Sequence, residues 1–282
     1  MLMNALCRLL RWQNCLIASI GVIVGARVMG GEVILIDLLL SATATFLVCA
    51  VGNIVNDILD IDIDRINRPE RVLPRGAVTV SRAVGFAFTF FAMSMILSLA
   101  VSKLFFALAL SVSGLLLLYN LHLKRLPLVG NAVIALMASL TLVTGGMVVS
   151  PSRAVTVDGV LLPAFFAFLL HMVREIVKDA EDIEGDQRAG VATLAVRVGI
   201  MPALFVALVF LLALPLALLS EPVSNWFGDS LAMILAVGIG LPLALLFVLA
   251  LTSPSAPSLR RLSTGIKIAM VAGMLALLAR PQ

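Results

Sequence analysis

Long apolar runs, broken at short intervals by a few polar residues, dominate this chain. Runs of about 20 apolar residues match the helix length that crosses a hydrocarbon core of about 30 Å. The pattern predicts nine spans, over residues 13–31, 34–57, 83–102, 104–121, 128–149, 160–178, 199–219, 230–251 and 263–280. Strands of a membrane barrel would be about 10 residues of alternating polarity, and these runs do not alternate. Helices satisfy their own backbone groups in lipid. Breaks at Lys103 and from His122 to Pro127 read as tight helical hairpins. The expected fold is all-α: nine transmembrane helices forming one polytopic domain, 1–282, with no separate soluble domain.

Composition supports that reading. Hydrophobic residues make up 61% of the chain and charged ones 13%, with mean hydropathy +1.13. That is more apolar surface than a soluble domain of 282 residues could bury. Of the 20 Lys and Arg, 16 fall at the N-terminus and in or beside the even-numbered loops, against four on the other side (Arg27, Lys103, Arg153, Arg280). Cytoplasmic loops are enriched in these residues, so the N-terminus is expected inside and the C-terminus outside, in a cell membrane. The basic and apolar start superficially resembles a signal peptide, but reads better as the first span. Cys7, Cys15 and Cys49 fall in or near predicted helices and read as small buried side chains. No nucleic-acid partner is expected.

Against this apolar background, acidity is concentrated. Asn53–Arg71 and Arg174–Arg188 hold 11 of the 16 acidic residues. Within them Asp57, Asp60 and Asp64 repeat, as D-x2-D-x3-D, at Asp179, Asp182 and Asp186. Spacings of three and four residues place such side chains on one face of a continuing helix. Both copies are expected at the cytoplasmic ends of the second and sixth spans, with Glu175 in the place that Asn53 holds in the first. A merely solvated loop would need neither helical periodicity twice nor carboxylates reaching back toward the span, where a charge costs roughly 2.5–3.5 kcal/mol at the bilayer centre. Carboxylate and amide oxygens are the hard ligands that Mg²⁺ takes, and Mg²⁺ commonly completes its shell with substrate phosphate. A metal carrying phosphate is the natural inference.

Basic residues complete the constellation. Arg68, Arg71 and Arg75 follow the first motif, Tyr119 and Lys124 end the fourth span on the same face, and Lys178 precedes the second motif. Such cations could receive a departing diphosphate. Arg68, Arg71 and Lys124 also fit plain positive-inside anchoring.

At these residues the chain resembles the UbiA superfamily of intramembrane prenyltransferases. The resemblance rests on Gly52–Asp57 through Asp64, the NRPERVLPRG loop, YNLHLKRLPLVGN from Tyr119 to Asn131, and REIVKDAEDIEGD from Arg174 to Asp186. It implies nine helices around a central cavity, with prenyl diphosphate held through two Mg²⁺ ions at the cytoplasmic face. REIVKDAEDIEGD is most similar to the archaeal-type digeranylgeranylglyceryl phosphate synthases of that superfamily. That branch implies geranylgeranyl diphosphate as donor and geranylgeranylglyceryl phosphate as lipid acceptor, in archaeal-type ether lipid synthesis. The loop departs from the family's N-R-P-x-R-P-L-P-S-G at Val72 and Arg75, which are expected to alter loop stiffness and to add a phosphate contact.

The resemblance implies roles by residue. Asn53, Asp57 and Asp64 would hold one ion, and Asp179, Asp182 and Asp186 the other. Arg68, Arg71, Lys124 and Lys178 would neutralise the leaving group while Tyr119 faces the allylic cation, unless it is an interface anchor. Asp60 and Asp62 are the base candidates, with neither assigned. Arg11 and Asn14 resemble an R-x-x-N feature that touches substrate or snorkels. His122 and His171 read as interfacial and helix-packing residues. An aromatic-acceptor prenyltransferase (4-hydroxybenzoate or another quinone or chlorophyll precursor) is the alternative. A cation transporter would place its acids near the midplane rather than at span ends beside arginines. The D-G-x-x-A-R signature of CDP-alcohol phosphatidyltransferases is absent.

Overall fold

The structure is a computed structural model that describes residues 2–188, 190–218, 220, 225–228 and 232–279. Its helices are α1 (Leu2–Leu10), α2 (Trp12–Met29), α3 (Leu35–Leu59), α4 (Ile61–Asn67), α5 (Val80–Val101), α6 (Lys103–Leu121), α7 (Val129–Val149), α8 (Pro151–Ala154), α9 (Leu161–Glu181), α10 (Ile183–Arg188), α11 (Leu194–Val198) and α12 (Ile200–Leu218). A π-helical stretch, Ile234–Gly240, runs into α13 (Leu241–Thr252), and α14 (Ala256–Leu278) follows. Among the described residues there is no strand.

Each expected span corresponds to one long helix, although positions 219, 230, 231 and 280 lie outside the described residues. Among the described residues, eight of these helices are long and apolar enough to cross a membrane, so a ninth crossing is not shown. The exception is α9, whose second half carries Arg174, Glu175, Lys178, Asp179 and Glu181. The start of α14 also differs, lying at Ala256 rather than 263. There Ser255 and Ser258 form a capping box and Pro257 sits in the first turn, both favourable to helix initiation.

Local chemistry explains the tight connections. Ser102 is extended (φ −171°) and is at once the C-cap of one helix and the N-cap of the next, its hydroxyl accepting from Phe105 N–H. The hairpin between α5 and α6 therefore needs only one non-helical residue.

The centre is built on α2, α3, α7 and α9, which pack in series, with α5 against α3, and α12 and α14 against α9. α2 and α7 approach backbone to backbone. A Cβ added at Gly25 would meet Leu142 O at 2.0 Å, and one at Gly145 would meet Val22 O at 1.9 Å. Without a hydrophobic force between helices in lipid, such small-residue contact is how they hold together. Gly145→Val should therefore force α2 and α7 apart and destabilise the protein by about 1–3 kcal/mol, read as a lower melting temperature in detergent.

Outward faces are apolar. Phe88, Val209, Ile96 and Leu275 are each more than 60% exposed, which water would not tolerate as a continuous surface and lipid does. The chain is a multi-pass membrane protein.

Candidate active site

Both acidic motifs sit where a long helix gives way to a short one. α3 hands over to α4 at Asp60 (φ −96°, ψ 8°), and α9 to α10 at Asp182 (φ −93°, ψ 9°). The expected continuing helix is thus corrected to a break at the middle aspartate of each motif. The break is gentle, because hydrogen bonds across four residues run on. Asp60 N–H reaches Asn56 O at 3.0 Å and Asp64 N–H reaches Asp60 O at 2.8 Å. In the second motif, Asp182 N–H reaches Lys178 O at 2.9 Å and Asp186 N–H reaches Asp182 O at 3.0 Å. A repeat of sequence is here a repeat of backbone.

One cavity of about 1860 Å³ receives both motifs. Arg11, Asn14, Asn53, Asp60, Asp64, Arg68, Arg71, Tyr119, Lys124, Lys178, Asp179, Asp182 and Asp186 all line it. Asp57 does not; it lies behind two of the lining arginines, 2.6 Å from Arg11 and 3.5 Å from Arg71. Arg11 reaches it because the chain turns left-handed there (φ 50°) between α1 and α2. Arg75 and Asp62 are exposed and outside the lining.

Opposite charges are paired across elements. Arg71 binds Asp64 at 2.5 Å, Lys124 binds Asp60 at 2.5 Å, and Arg68 crosses to Asp182 of the other motif at 3.3 Å. On α9, Glu175 pairs with Arg174 and lies 3.7 Å from Lys178. Val72 and Leu73 position the arginines of the loop. Both are buried against Leu9, Leu10 and Ile54, so the loop is pinned from beneath. Val72 thus anchors the loop by packing, not only by altering its stiffness.

Several residues of this network carried no role in the sequence reading. Asn56 donates to Asp60 Oδ2 (3.0 Å) and to Asn120 Oδ1 (2.9 Å), and buried Asn131 donates to Asp179 Oδ2 (2.8 Å). Asn120 and Asn131 stand within apolar spans, where a polar residue is costly and needs a reason; that was the available signal. Asn53 spends its amide N–H on Leu10 O (2.9 Å), leaving Oδ1 as the atom it could offer a cation. His171 lines the cavity with its Nδ1 2.8 Å from Ala167 O, while exposed His122 lies outside the lining.

These oxygen donors are of the hard type that Mg²⁺ takes, so the residues fit that ion by chemistry. Among the described residues, however, no three His, Cys, Asp or Glu side chains are gathered to hold one. The carboxylates instead hold arginines and lysines. Burial pushes the Asp64 carboxyl above the usual carboxylate range, against the pull of Arg71. Burial likewise lifts Asp186 to about 6. Such groups gain from a cation that compensates their lost hydration.

Residues 18–271 match the UbiA prenyltransferase family. The digeranylgeranylglyceryl phosphate synthase of Methanopyrus kandleri is 35% identical over 98% of this chain and 99% of its own. A solved structure of digeranylgeranylglyceryl phosphate synthase superposes with TM-score 0.77 at 30% identity, covering 99% of this chain and 98% of that one. A UbiA homolog from Archaeoglobus fulgidus, bound to DMAPP and Mg²⁺, shares the fold with TM-score 0.68 at 19% identity, covering 97% and 98%.

Proposed function

The chain belongs to the UbiA prenyltransferase family, and on that premise we propose that all of 1–282 forms one domain transferring a geranylgeranyl group from geranylgeranyl diphosphate to the free hydroxyl of geranylgeranylglyceryl phosphate. The observation that carries this is the single cavity shared by two acidic motifs and their cations. The acceptor follows from the relative at 35% identity over nearly the whole chain. In this proposal the protein lies in the cell membrane with its N-terminus and both motifs on the cytoplasmic side, which the 16-to-4 distribution of Lys and Arg supports.

Mg²⁺ supplies charge neutralisation to the diphosphate oxygens. Asp60, Asp64, Asp179, Asp182 and Asp186, with Asn53 Oδ1, offer its donor atoms in this reading, arranged as two sites. Asp57 acts from behind, holding Arg11 and Arg71 in place. Arg68, Arg71, Lys124 and Lys178 stand to take phosphate oxygens in exchange for their present carboxylate partners. As the bond between the allylic carbon and oxygen breaks, its electron pair leaves with the diphosphate, and fixed cations stabilise that charge. Tyr119, within the field of Glu175, Asp179 and Asp60, lines the wall where the allylic cation develops. The acceptor oxygen then bonds to that carbon and releases its proton. Apolar walls exclude the water that would otherwise capture the cation.

Lys124→Met should raise KM for the prenyl diphosphate by about tenfold, equivalent to about 1.4 kcal/mol. Steady-state kinetics with short and long donors checks this, since a lost charge contact affects both alike. The reading itself is tested by purified protein given geranylgeranyl diphosphate, Mg²⁺ and a panel of geranylgeranylglyceryl phosphate, 4-hydroxybenzoate and other aromatic acceptors. Mass spectrometry should find digeranylgeranylglyceryl phosphate; transfer to an aromatic ring alone would overturn the acceptor.

A further inference from the structure

Nine arginines and lysines line the cavity, and seven of them lie at ion-pair distance from a carboxylate. Among the described residues, Arg125 and Lys267 have no such partner. Arg125 is exposed in the polar turn Leu123–Arg125, where water serves it. Lys267 is exposed too, but it lies well inside α14 and on the cavity wall.

Its depth follows from one contact. Arg260, near the start of α14, binds Glu181 at the end of α9 (3.2 Å), and the two helices pack together. Lys267 is seven residues beyond Arg260, and so about 10 Å deeper at 1.5 Å per residue. Glu175, six residues before Glu181, is about 9 Å deeper by the same rise. Lys267 therefore stands about two turns below the carboxylates of the motif end. Met270, Val271 and Met274, one and two turns further along α14, continue its stretch of the wall. An ionisable residue that lines the cavity at this depth marks a functional contact by default.

Resting on the acceptor assigned above, we propose that Lys267 binds the phosphate of the glyceryl phosphate lipid and so selects phosphorylated acceptors. The diphosphate is served by the cations of the motif end, and the acceptor phosphate is the other anion that this reaction brings into the cavity. The lysine's flexible four-carbon stem can carry the ammonium back toward the reacting hydroxyl. The apolar residues below it suit the chain already attached to the glycerol.

The test uses the purified full chain in phosphatidylcholine vesicles, with geranylgeranyl diphosphate, Mg²⁺ and two acceptors, geranylgeranylglyceryl phosphate and unphosphorylated geranylgeranylglycerol. Lys267→Met should raise KM for the phosphorylated acceptor about tenfold or more, leave KM for the donor unchanged, and leave use of the unphosphorylated acceptor at the wild-type level. Lys267→Arg should restore most of the loss. Wild-type KM for the phosphorylated acceptor in monodisperse Lys267→Met, or equal loss with both acceptors, would overturn the proposal while leaving the transferase reading in place. An effect that appears only when phosphatidylglycerol is added would assign the lysine to bulk headgroups and also overturn it. Failure of the wild type to use either acceptor would instead bring down the acceptor reading, and this proposal with it.

Discussion

Asp182→Ala should lower turnover by on the order of 10²-fold or more, the loss typical of removing a principal stabiliser of transition-state charge. Asp182 is the middle aspartate of its motif, placed at the break between α9 and α10 and lining the cavity. It also receives Arg68 from the loop that follows the other motif, at 3.3 Å. Its loss removes an oxygen donor and frees the cation that joins the two halves of the site. Both partners are about 40% exposed, so folding stability should change little. The expected signature is a large fall in kcat with a near wild-type melting temperature. Near-normal turnover of the purified variant would show that the second motif carries no catalytic charge.

The second large effect is expected at Asp57, for a different reason. This carboxylate is buried, accepts from Arg11 at 2.6 Å and lies 3.5 Å from Arg71, both of which line the cavity. Breaking a fully buried pair costs roughly 3–5 kcal/mol, because it strands a charge. The cost here is smaller, since Arg11 remains about a third exposed. Asp57→Ala should therefore lower both stability and turnover, the latter again by about 10²-fold. Asp57→Asn should recover stability more than activity, because it keeps the shape and one acceptor but loses the charge that orients two arginines. Thermal melts and single-turnover rates on both variants separate these contributions. Equal recovery of both would contradict the positioning role.

How far the sequence could be read depended on the range of each interaction. Helices were legible because their signal is local: apolar length marks the spans, and polar breaks such as Lys103 and the stretch from His122 to Pro127 mark their joints. The cap formed by Ser255 and Ser258 was equally local, yet its polar residues lie outside the apolar run, so the last helix was expected seven residues late. The middle aspartates could be placed on a helical face by spacing, whereas the break at Asp60 and Asp182 could not. Spacing says nothing about the curvature that a following loop imposes.

Access to the cavity was the least legible property. Asp57 and Asp64 look alike in sequence, but the first sits behind Arg11 and Arg71 while the second lines the cavity. That difference is made by α1, distant in the chain, together with the loop around Val72. Asn56 shows the same limit: it neighbours Asp57 in sequence, yet it also bonds to Asn120, reached only when α3 packs on α6.

The most direct test of the central claim, a diphosphate site that depends on Mg²⁺ and is shared by two acidic motifs, is product formation before and after stringent metal removal. Purified protein with geranylgeranyl diphosphate and geranylgeranylglyceryl phosphate should make digeranylgeranylglyceryl phosphate with Mg²⁺ present, none after chelation, and the original amount when Mg²⁺ is returned. Unchanged product formation in the chelated sample would contradict the account.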